Sequence, residues 1–294
     1  MQVDSMKQWM RNWIGGIRQV VSLLRKSAEL HGIKAKFQGL LYLSIQRDDK
    51  AGRLIARWIA PFHEAWLRPT DGLISIQVEF FGNSRCLYLR KGNFADYRVA
   101  GELMDGVYHP PDFIPKVIYD CGANIGIFSL YAATRFPSAK LVCFEPDKNN
   151  LALLRKNLLA NDVPADIREA GVWGKKCLLY YHPGRNSIEG ITNEEPSPFP
   201  IPVENLEINA TDTWVKMDVE GAEYQVLPIL MRSQPLPRYL SIELHFFHTK
   251  GREIVDLLRA SGYQLNGFLN QECVCAVFDA ELAPSITSGP FAAS

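Results

Sequence analysis

Residues 117–130 of this chain read VIYDCGANIGIFSL, and residues 141–147 read LVCFEPD. The first stretch is a short apolar run that ends in Asp120 and continues through a glycine-containing turn into an amphipathic helix. The second stretch is another apolar run, and it ends in Glu145. This order of strand, turn, helix and strand predicts an α/β fold that holds a nucleoside at the carboxyl ends of parallel strands.

The turn after Asp120 differs from the turn of dinucleotide-binding enzymes. Those enzymes use the pattern G-x-G-x-x-G, and the N-terminus of the following helix holds a pyrophosphate. Here Gly122, Asn124 and Gly126 form a G-x-N-x-G turn, and Asp120 stands two residues before it. A fixed negative charge suits an ammonium group and is unfavourable beside a pyrophosphate. We therefore expect S-adenosyl-L-methionine as the cofactor, with an NAD-dependent oxidoreductase as the alternative.

Two further segments complete the predicted cofactor pocket. Glu145 follows the glycine turn by about 20 residues, the distance at which an acid accepts hydrogen bonds from both ribose hydroxyls. This feature fits NAD and S-adenosyl-L-methionine equally. Gly171 and Val172 follow the third predicted strand, where the chain borders an adenine ring, and Trp173 is a candidate to stack there. The predicted cofactor-binding residues are Asp120, Gly122, Asn124, Gly126, Glu145, Gly171 and Val172.

A second group of polar residues follows two later strands. Residues 216–223 read KMDVEGAE, and residues 242–245 read IELH. Carboxylates at the carboxyl ends of parallel strands point into the ligand crevice, and residues two apart on a strand share a face. An imidazole is suited to taking a proton from a hydroxyl near neutral pH. The predicted catalytic residues are therefore Asp218, Glu220, Glu243 and His245.

Two alternatives stay open for this group. Glu220 and Glu223 also sit where the N-terminus of a helix favours negative charge, and for Glu223 this structural role explains the residue as well as a functional one. Oxygen-rich sites with one imidazole suit Mg²⁺ or Mn²⁺. A carboxylate network can orient an acceptor without a metal, so no metal ligand is predicted.

Strand and helix patterns alternate through the rest of the chain, which predicts a seven-stranded, mostly parallel sheet with helices on both faces. Strands are predicted at 117–120, 141–145, 165–169, 214–218, 239–244, 262–267 and 273–278, and helices at 126–136, 148–160, 221–231 and 251–260. The last two strands are expected to form an antiparallel pair at one edge. Residues 183–212 are rich in Pro, Glu, Asn and Ser, and they are predicted to be a long surface loop and a candidate lid.

The first third of the chain has a different character. Residues 6–30 are predicted to form a helix with Trp9 and Trp13 on its apolar face and basic residues over the rest. Such a helix packs on protein or lies on a membrane surface. Further helix is predicted over 33–68, followed by a hairpin over 73–91 with its turn at residues 82–84. The predicted domains are a helical extension, 1–70, an α/β domain, 71–283, with its cofactor-binding core from 115, and a flexible tail, 284–294.

Composition narrows the class of protein. Lys and Arg together number 32, as do Asp and Glu, so no net charge draws the chain to nucleic acid or to an anionic membrane. No run of about 18 apolar residues is present, and the N-terminus lacks the apolar core of a signal peptide. The six cysteines include no CxxC pair, which indicates reduced thiols in a cytoplasmic protein rather than disulfides or a zinc site.

Four segments together resemble the FkbM family of S-adenosylmethionine-dependent methyltransferases: YDCGANIG at 119–126, FEP at 144–146, VKMDVEGAE at 215–223 and IELH at 242–245. The resemblance covers about residues 85–280 in one consistent order, and KMDVEGAE is its most specific part. It implies a Rossmann-like methyltransferase fold and O-methylation of a hydroxyl on a sugar or natural product. Some relatives are linked to N-methylation, so a peptide or amide side chain is the alternative acceptor.

The implied mechanism is an in-line transfer of the methyl group to an acceptor oxygen. His245 or Asp218 takes the hydroxyl proton, and Glu220 and Glu243 orient the acceptor or the base. The expected partner is a small-molecule or glycan acceptor and not nucleic acid, with peripheral membrane contact through residues 6–30 and a homo-oligomer as further alternatives. Another class also stays open, a scaffold protein without catalysis that docks through its N-terminal helix.

Overall fold

The computed structural model describes residues 72–90, 93, 96, 99–100, 103, 107–182, 191–267 and 275–283. The chain divides into two compact units, residues 1–106 and 107–294. The hairpin falls in the first compact unit, and the domain boundaries predicted from the sequence stay a prediction. The helices predicted over 6–30 and 33–68 and the tail predicted over 284–294 lie outside the described residues.

The described part of the first unit is mainly a β-hairpin. Strands β1 (Leu73–Phe80) and β2 (Asn83–Arg90) pair antiparallel, from Leu73 opposite Arg90 to Phe80 opposite Asn83. The two turn residues, Phe81 and Gly82, have φ angles of 53° and 76°. Such a two-residue turn requires positive φ at both positions, because only this twist matches the twist of the strands. The turn predicted at residues 82–84 was therefore placed one residue too late.

The second unit alternates strands and helices in the predicted order. Its elements are β3 (Val117–Cys121), α1 (Ile127–Arg135), β4 (Lys140–Phe144), α2 (Lys148–Leu159), β5 (Asp166–Arg168), β6 (Gly171–Trp173), β7 (Cys177–His182), β8 (Ile191–Asn193), β9 (Pro200–Asn205), β10 (Thr213–Met217), α3 (Glu223–Leu230), β11 (Tyr239–His245), a π-helical turn (Phe247–Gly251), α4 (Arg252–Ala260), β12 (Tyr263–Gly267) and β13 (Cys275–Leu282).

Seven strands form the main sheet in the order β5-β4-β3-β10-β11-β13-β12. Six of the seven strands run in the same direction, and β13 runs opposite to them. From β3 the chain builds outward in one direction through β4 and β5, and from β10 it builds in the other. Because crossovers are right-handed, α1 and α2 cover one face and α3 and α4 the other. The predicted Rossmann-like fold is confirmed, although β13 extends to Leu282, four residues beyond the predicted end.

Burial explains why the central strands form where the sequence predicts them. All five residues of β10 are buried. In β3, β4 and β11, every residue except one is buried. Strands covered on both faces read as continuous apolar runs. Trp214 of β10 is fully buried, packs edge-on against Phe128 of α1, and donates its indole N–H to Ser241 Oγ at 3.1 Å. Asp147 caps α2, since its carboxylate accepts hydrogen bonds from the N–H groups of Asn149 and Asn150 in the first turn of that helix.

A second, four-stranded sheet lies where much of the long loop was predicted. Its order is β6-β9-β7-β8, so two of its strands fall within residues 183–212. Strand β9 was not predicted because it contains prolines, and a proline lacks the N–H that a central strand needs. Pro200 and Pro202 pair only with β7, and β6 begins to pair with β9 at Val203. Residues 183–190 are outside the described part of the chain, so the lid stays a prediction.

Candidate functional site

The glycine turn after β3 is tightly packed against neighbouring strand ends. The N–H groups of Gly122 and Ala123 both donate to the carbonyl of Phe144, at 3.0 and 2.9 Å. Gly122 has a φ of +80°, and a Cβ added there would lie 1.9 Å from the carbonyl oxygen of Asp218. A side chain at Gly122 would therefore collide with the end of β10. The turn therefore accepts only glycine at this position.

Asp120 lies beneath this turn with no exposed surface. Its Oδ2 accepts a hydrogen bond from Ser129 Oγ at 2.6 Å, and its Oδ1 lies 3.5 Å from Lys216 Nζ without a hydrogen bond. Burial raises the pKa of Asp120, and the nearby Lys216 partly opposes this. The fixed charge inferred from the sequence is therefore directed at Lys216 inside the protein, and its contact with a cofactor stays a prediction.

Lys216 joins the two halves of the site, and the sequence analysis assigned it no role. Its Nζ donates to the carbonyl of Gly122 at 2.7 Å and lies 3.5 Å from a carboxylate oxygen of both Asp120 and Asp218. Burial lowers the pKa of Lys216, but the two carboxylates outweigh burial and raise it, so the side chain is a cation. In the sequence, a lysine within a mostly apolar strand could have indicated this role. In the structure, Lys216 lies in register with Asp120 on the neighbouring strand.

Glu145 occupies the predicted ribose position at the end of β4. Its carboxylate accepts hydrogen bonds from the N–H of Asn124 at 2.8 Å, the N–H of Asp147 at 2.9 Å and the side chain of Asn150 at 3.3 Å. Burial raises the pKa of Glu145 to about 7. A carboxylate has about four lone-pair positions, so three bonds leave roughly one for a ribose hydroxyl. The glycine turn and the predicted ribose acid are thus connected through Asn124, whose φ is 49°.

The adenine side of the predicted pocket is formed by Gly171 and Val172, and Trp173 lies elsewhere. A Cβ added to Gly171 would lie 3.8 Å from Pro146, so β6 begins beside the segment that follows Glu145. The Val172 side chain belongs to the hydrophobic core and is only 3% exposed, so only its backbone is available to a ligand. Trp173 lines a separate cavity of about 330 Å³ between the 205–209 segment and α3.

The four predicted catalytic side chains meet at the ends of β10 and β11. His245 is central: its Nε2 lies 3.2 Å from Glu220 and 3.9 Å from both Asp218 and Glu243. Its Nδ1 lies 3.0 Å from a fourth carboxylate, that of Glu223. We call these five residues the His245 cluster. Their convergence is what the strand-end positions and the two-residue spacing of β11 predicted.

The loop between β10 and α3 presents Asp218 and Glu220 of the His245 cluster, Glu223 begins α3, and Glu243 lies on β11. Glu220 and Gly221 have φ angles of 53° and 99°, and the chain reverses there before α3 begins. Glu223 is fully buried, and its Oε1 accepts the N–H of Val219 at 3.0 Å as well as facing His245. Glu223 thus fixes the turn and contacts the imidazole, and its functional role stays a prediction. Tyr224 donates to the carbonyl of His245 at 2.6 Å and fixes the end of β11.

Exposure changes sharply across the His245 cluster. The Glu220 side chain is 74% exposed, Asp218 is 29% exposed, and the His245 side chain is only 11% exposed. Asp218 also contacts Lys216 and accepts a hydrogen bond from Tyr108 at 3.5 Å. The cluster is thus open to solvent on the Glu220 side and continuous with the glycine turn on the other. A ligand entering past Glu220 meets the imidazole before the buried Glu223.

Comparison with known proteins gives a consistent family. The family model described as Methyltransferase FkbM domain matches residues 120–265. The chain is 39% identical over 94 residues to the AMB antimetabolite synthetase AmbE of Pseudomonas aeruginosa, which covers 30% of this chain and 4% of that protein. It is 43% identical over 51 residues to the Methyltransferase sdnD of Sordaria araneosa, covering 17% of this chain and 20% of that protein.

A solved structure, that of Methyltransferase FkbM from Methylobacillus flagellatus KT, is also similar. The sequence identity is 17% and the TM-score 0.40, and the match covers 93% of this chain and 60% of that chain. The chain therefore spans less than two thirds of each of these proteins. Among the residues that the structure describes, no helix combines the length and the apolar character needed to cross a membrane.

Proposed function

Because residues 120–265 form an FkbM methyltransferase domain, we propose that this protein transfers a methyl group from S-adenosyl-L-methionine to a hydroxyl of a sugar or natural product. One observation carries the proposal. Lys216 connects the carbonyl of Gly122 in the nucleoside-binding turn to Asp218 in the His245 cluster. A methyl donor in the turn and an acceptor at the cluster would thus be held by adjoining groups, as an in-line transfer requires.

The residues present fit S-adenosyl-L-methionine. This cofactor carries a ribose diol, an ammonium and a carboxylate, and it has no phosphate. Glu145 offers a carboxylate for the ribose, and the turn at Gly122 offers backbone close to the cofactor's amino-acid end. Asp120 has a buried oxygen without a hydrogen-bond partner, beside the cationic Lys216. A charged pair of this kind suits the two opposite charges of an amino acid better than a pyrophosphate.

The chemistry divides between cofactor and protein. The sulfonium of the bound cofactor supplies an activated methyl group. The protein orients the acceptor, since the carboxylates of Glu220 and Glu243 can accept hydrogen bonds from its hydroxyl groups. When no cation occupies the cluster, the proton of the attacking hydroxyl passes to His245 Nε2 or to the Asp218 carboxylate. Glu223 holds the Nδ1 side of the imidazole, so Nε2 faces the acceptor side.

The charge of the His245 cluster supports the acceptor class. Four carboxylates surround one imidazole, so a polyhydroxylated acceptor finds many hydrogen-bond acceptors while a nucleic-acid phosphate is repelled. A small molecule or glycan is therefore the proposed partner. An amide or peptide side chain is the alternative, because the same carboxylates accept N–H groups. We place the reaction in the cytoplasm, with the buried free thiols of Cys121 and Cys143 as support.

Calorimetry tests the cofactor assignment. We expect the full chain to bind S-adenosyl-L-methionine and its demethylated product, and not NAD. The Asp120→Ala variant should bind both ligands more weakly. Tight binding of NAD with no heat from the other two would refute the proposal, and unchanged affinity in Asp120→Ala would contradict the assigned pocket.

A transfer assay tests the His245 cluster. Labelled methyl transfer into hydroxyl-rich extracts should fall by about 10²–10⁴-fold in His245→Ala, the usual effect of losing a general base. The Glu253→Gln variant, which changes an exposed carboxylate in the first turn of α4, serves as the control and should transfer normally. Cofactor binding should be retained in both variants. Full transfer by His245→Ala would remove the cluster from the mechanism, and no transfer by any form despite cofactor binding would favour the scaffold alternative.

A further inference from the structure

We propose that Asp218, Glu220 and His245 form a binding site for one divalent cation of the Mg²⁺ or Mn²⁺ class. The site stands on these side chains alone, so it does not depend on methyl transfer being the reaction. It goes beyond the proposed function because a carboxylate network can orient an acceptor without any metal.

The geometry is the first argument. One carboxylate oxygen each from Asp218 and Glu220 and one ring nitrogen of His245 all lie within 4.8 Å of one another. His245 Nε2 is 3.2 Å from Glu220 and 3.9 Å from Asp218. Ligand atoms that share a cation at about 2.1 Å stand about 3–4 Å apart. The three ligand atoms therefore need only small side-chain adjustments to meet one ion.

The partner of the imidazole is the second argument. A histidine that binds a metal through one nitrogen usually donates its other N–H to a carboxylate, which fixes the ring orientation. Glu223 is fully buried and lies 3.0 Å from His245 Nδ1. Its other oxygen, Oε2, has no hydrogen-bond partner in the structure. A buried carboxylate that commits one oxygen to this nitrogen leaves Nε2 directed at Asp218 and Glu220.

Charge is the third argument. Four carboxylates face one imidazole, and the nearby Lys216 contributes a single positive charge through Asp218. A net negative charge remains even when the imidazole carries a proton. Like charges this close disfavour one another, and a divalent cation offsets them directly. Mixed oxygen and imidazole ligands without thiolate suit Mn²⁺ and Mg²⁺.

Solvent access to the proposed cation site is the fourth argument. Glu220 is 74% exposed and Asp218 is 29% exposed, so an ion can enter from solvent without opening the core. Glu243 lies 3.9 Å from Nε2 on the neighbouring strand and can support a bound water. A cation here would be open on one side, which leaves room for an oxygen ligand from outside the protein.

Mn²⁺ binding to the full chain tests the proposal directly, without cofactor or acceptor. Calorimetry and the electron paramagnetic resonance signal of free Mn²⁺ should both report one bound ion per chain. Glu220→Gln should weaken binding at least about 10-fold, and Glu223→Gln, which changes only the partner of the imidazole, should weaken it by about 10–100-fold. Glu253→Gln, an exposed carboxylate outside the cluster, should bind like the unmodified chain.

The outcomes separate cleanly. Absence of Mn²⁺ binding at millimolar concentration, or equal binding by Glu220→Gln and Glu253→Gln, would overturn the site. Because Glu220 is largely exposed, its variant should fold normally, and a thermal melt of each variant verifies this. Mn²⁺ binding without S-adenosyl-L-methionine binding would support the cation site and refute the proposed function, so the two cannot be confused.

Discussion

Replacing Gly122 by alanine tests whether the glycine turn after β3 depends on its packing against β10. Two costs add at this position. A residue with a Cβ at a φ of +80° pays about 1–2 kcal/mol for the left-handed backbone. The new Cβ would also lie 1.9 Å from the Asp218 carbonyl oxygen, whereas a carbon and a carbonyl oxygen in contact stand about 3.3 Å apart.

The second cost cannot be relieved by rotating a side chain, because the atom it meets belongs to the backbone. The ends of β3 and β10 must separate by roughly 1 Å or more, and overpacking of this kind typically costs about 1–3 kcal/mol. We therefore expect Gly122→Ala to lower the free energy of unfolding by about 2–5 kcal/mol, a large part of the stability of a typical domain.

Gly262 provides the matched control for this substitution. Its φ is +92°, but an added Cβ there would meet only Leu282 Cδ1 at 3.6 Å, an ordinary contact. Gly262→Ala should therefore show the backbone cost alone, about 1–2 kcal/mol. Urea denaturation followed by tryptophan fluorescence measures both variants. A loss in Gly122→Ala no larger than the loss in Gly262→Ala would refute the packing argument.

Three further perturbations follow from the same contacts. Burial raises the pKa of Glu145 from 4.5 to about 7. Between these two pH values the folded chain keeps a proton that the unfolded chain releases. The free energy of unfolding should therefore fall by roughly 3 kcal/mol as the pH rises from about 4.5 to about 7. Glu145→Gln should remove this pH dependence of the free energy of unfolding, as measured by urea denaturation. An unchanged pH dependence would contradict the raised pKa of Glu145. Ser129→Ala strips the hydrogen bond from the buried Asp120 and should cost about 1–3 kcal/mol by the same method, against nearly nothing for the exposed Ser138→Ala. Lys216→Met leaves the Asp120 charge unpaired and should cost about 3–5 kcal/mol, and if adding Asp120→Asn recovers none of this loss, the pair is not coupled.

Much of the fold was predictable because its central strands are buried on both faces. Runs such as those of β3 and β4 are continuous and apolar, and each ends in an acid that marks the carboxyl edge of the sheet. The same logic predicted that Asp218, Glu243 and His245 would meet. Their convergence depends only on neighbouring parallel strands ending at one edge, and this arrangement is set by sequence order.

The errors came from residues whose local preference opposes their tertiary setting. Pro200 and Pro202 indicate a loop, yet both lie in β9. They are tolerated there because β6, the neighbour of β9 on one side, pairs with β9 only from Val203 onward. Phe81 is an unusual residue at positive φ, so the hairpin turn was placed at residues 82–84 instead of at Phe81 and Gly82. None of these outcomes follows from a single segment.

The polar contacts that sequence reasoning missed are all between segments distant along the chain. Lys216 reaches back to Gly122, and Glu223 reaches forward to His245. Periodicity cannot reveal such pairs, since it reports only which face a residue occupies. The strand register that sets Lys216 opposite Asp120 was the nearest available clue.

The bridge formed by Lys216 has a thermodynamic consequence. A ligand that shifts the Gly122 carbonyl also shifts the ammonium group that contacts Asp218. Occupancy of one half of the site should then alter affinity in the other, and linkage requires the effect to be equal in both directions. If the donor tightens the acceptor's binding, the acceptor tightens the donor's by the same factor. If the proposed function is correct, a single lysine would thereby couple binding of the methyl donor to binding of the acceptor.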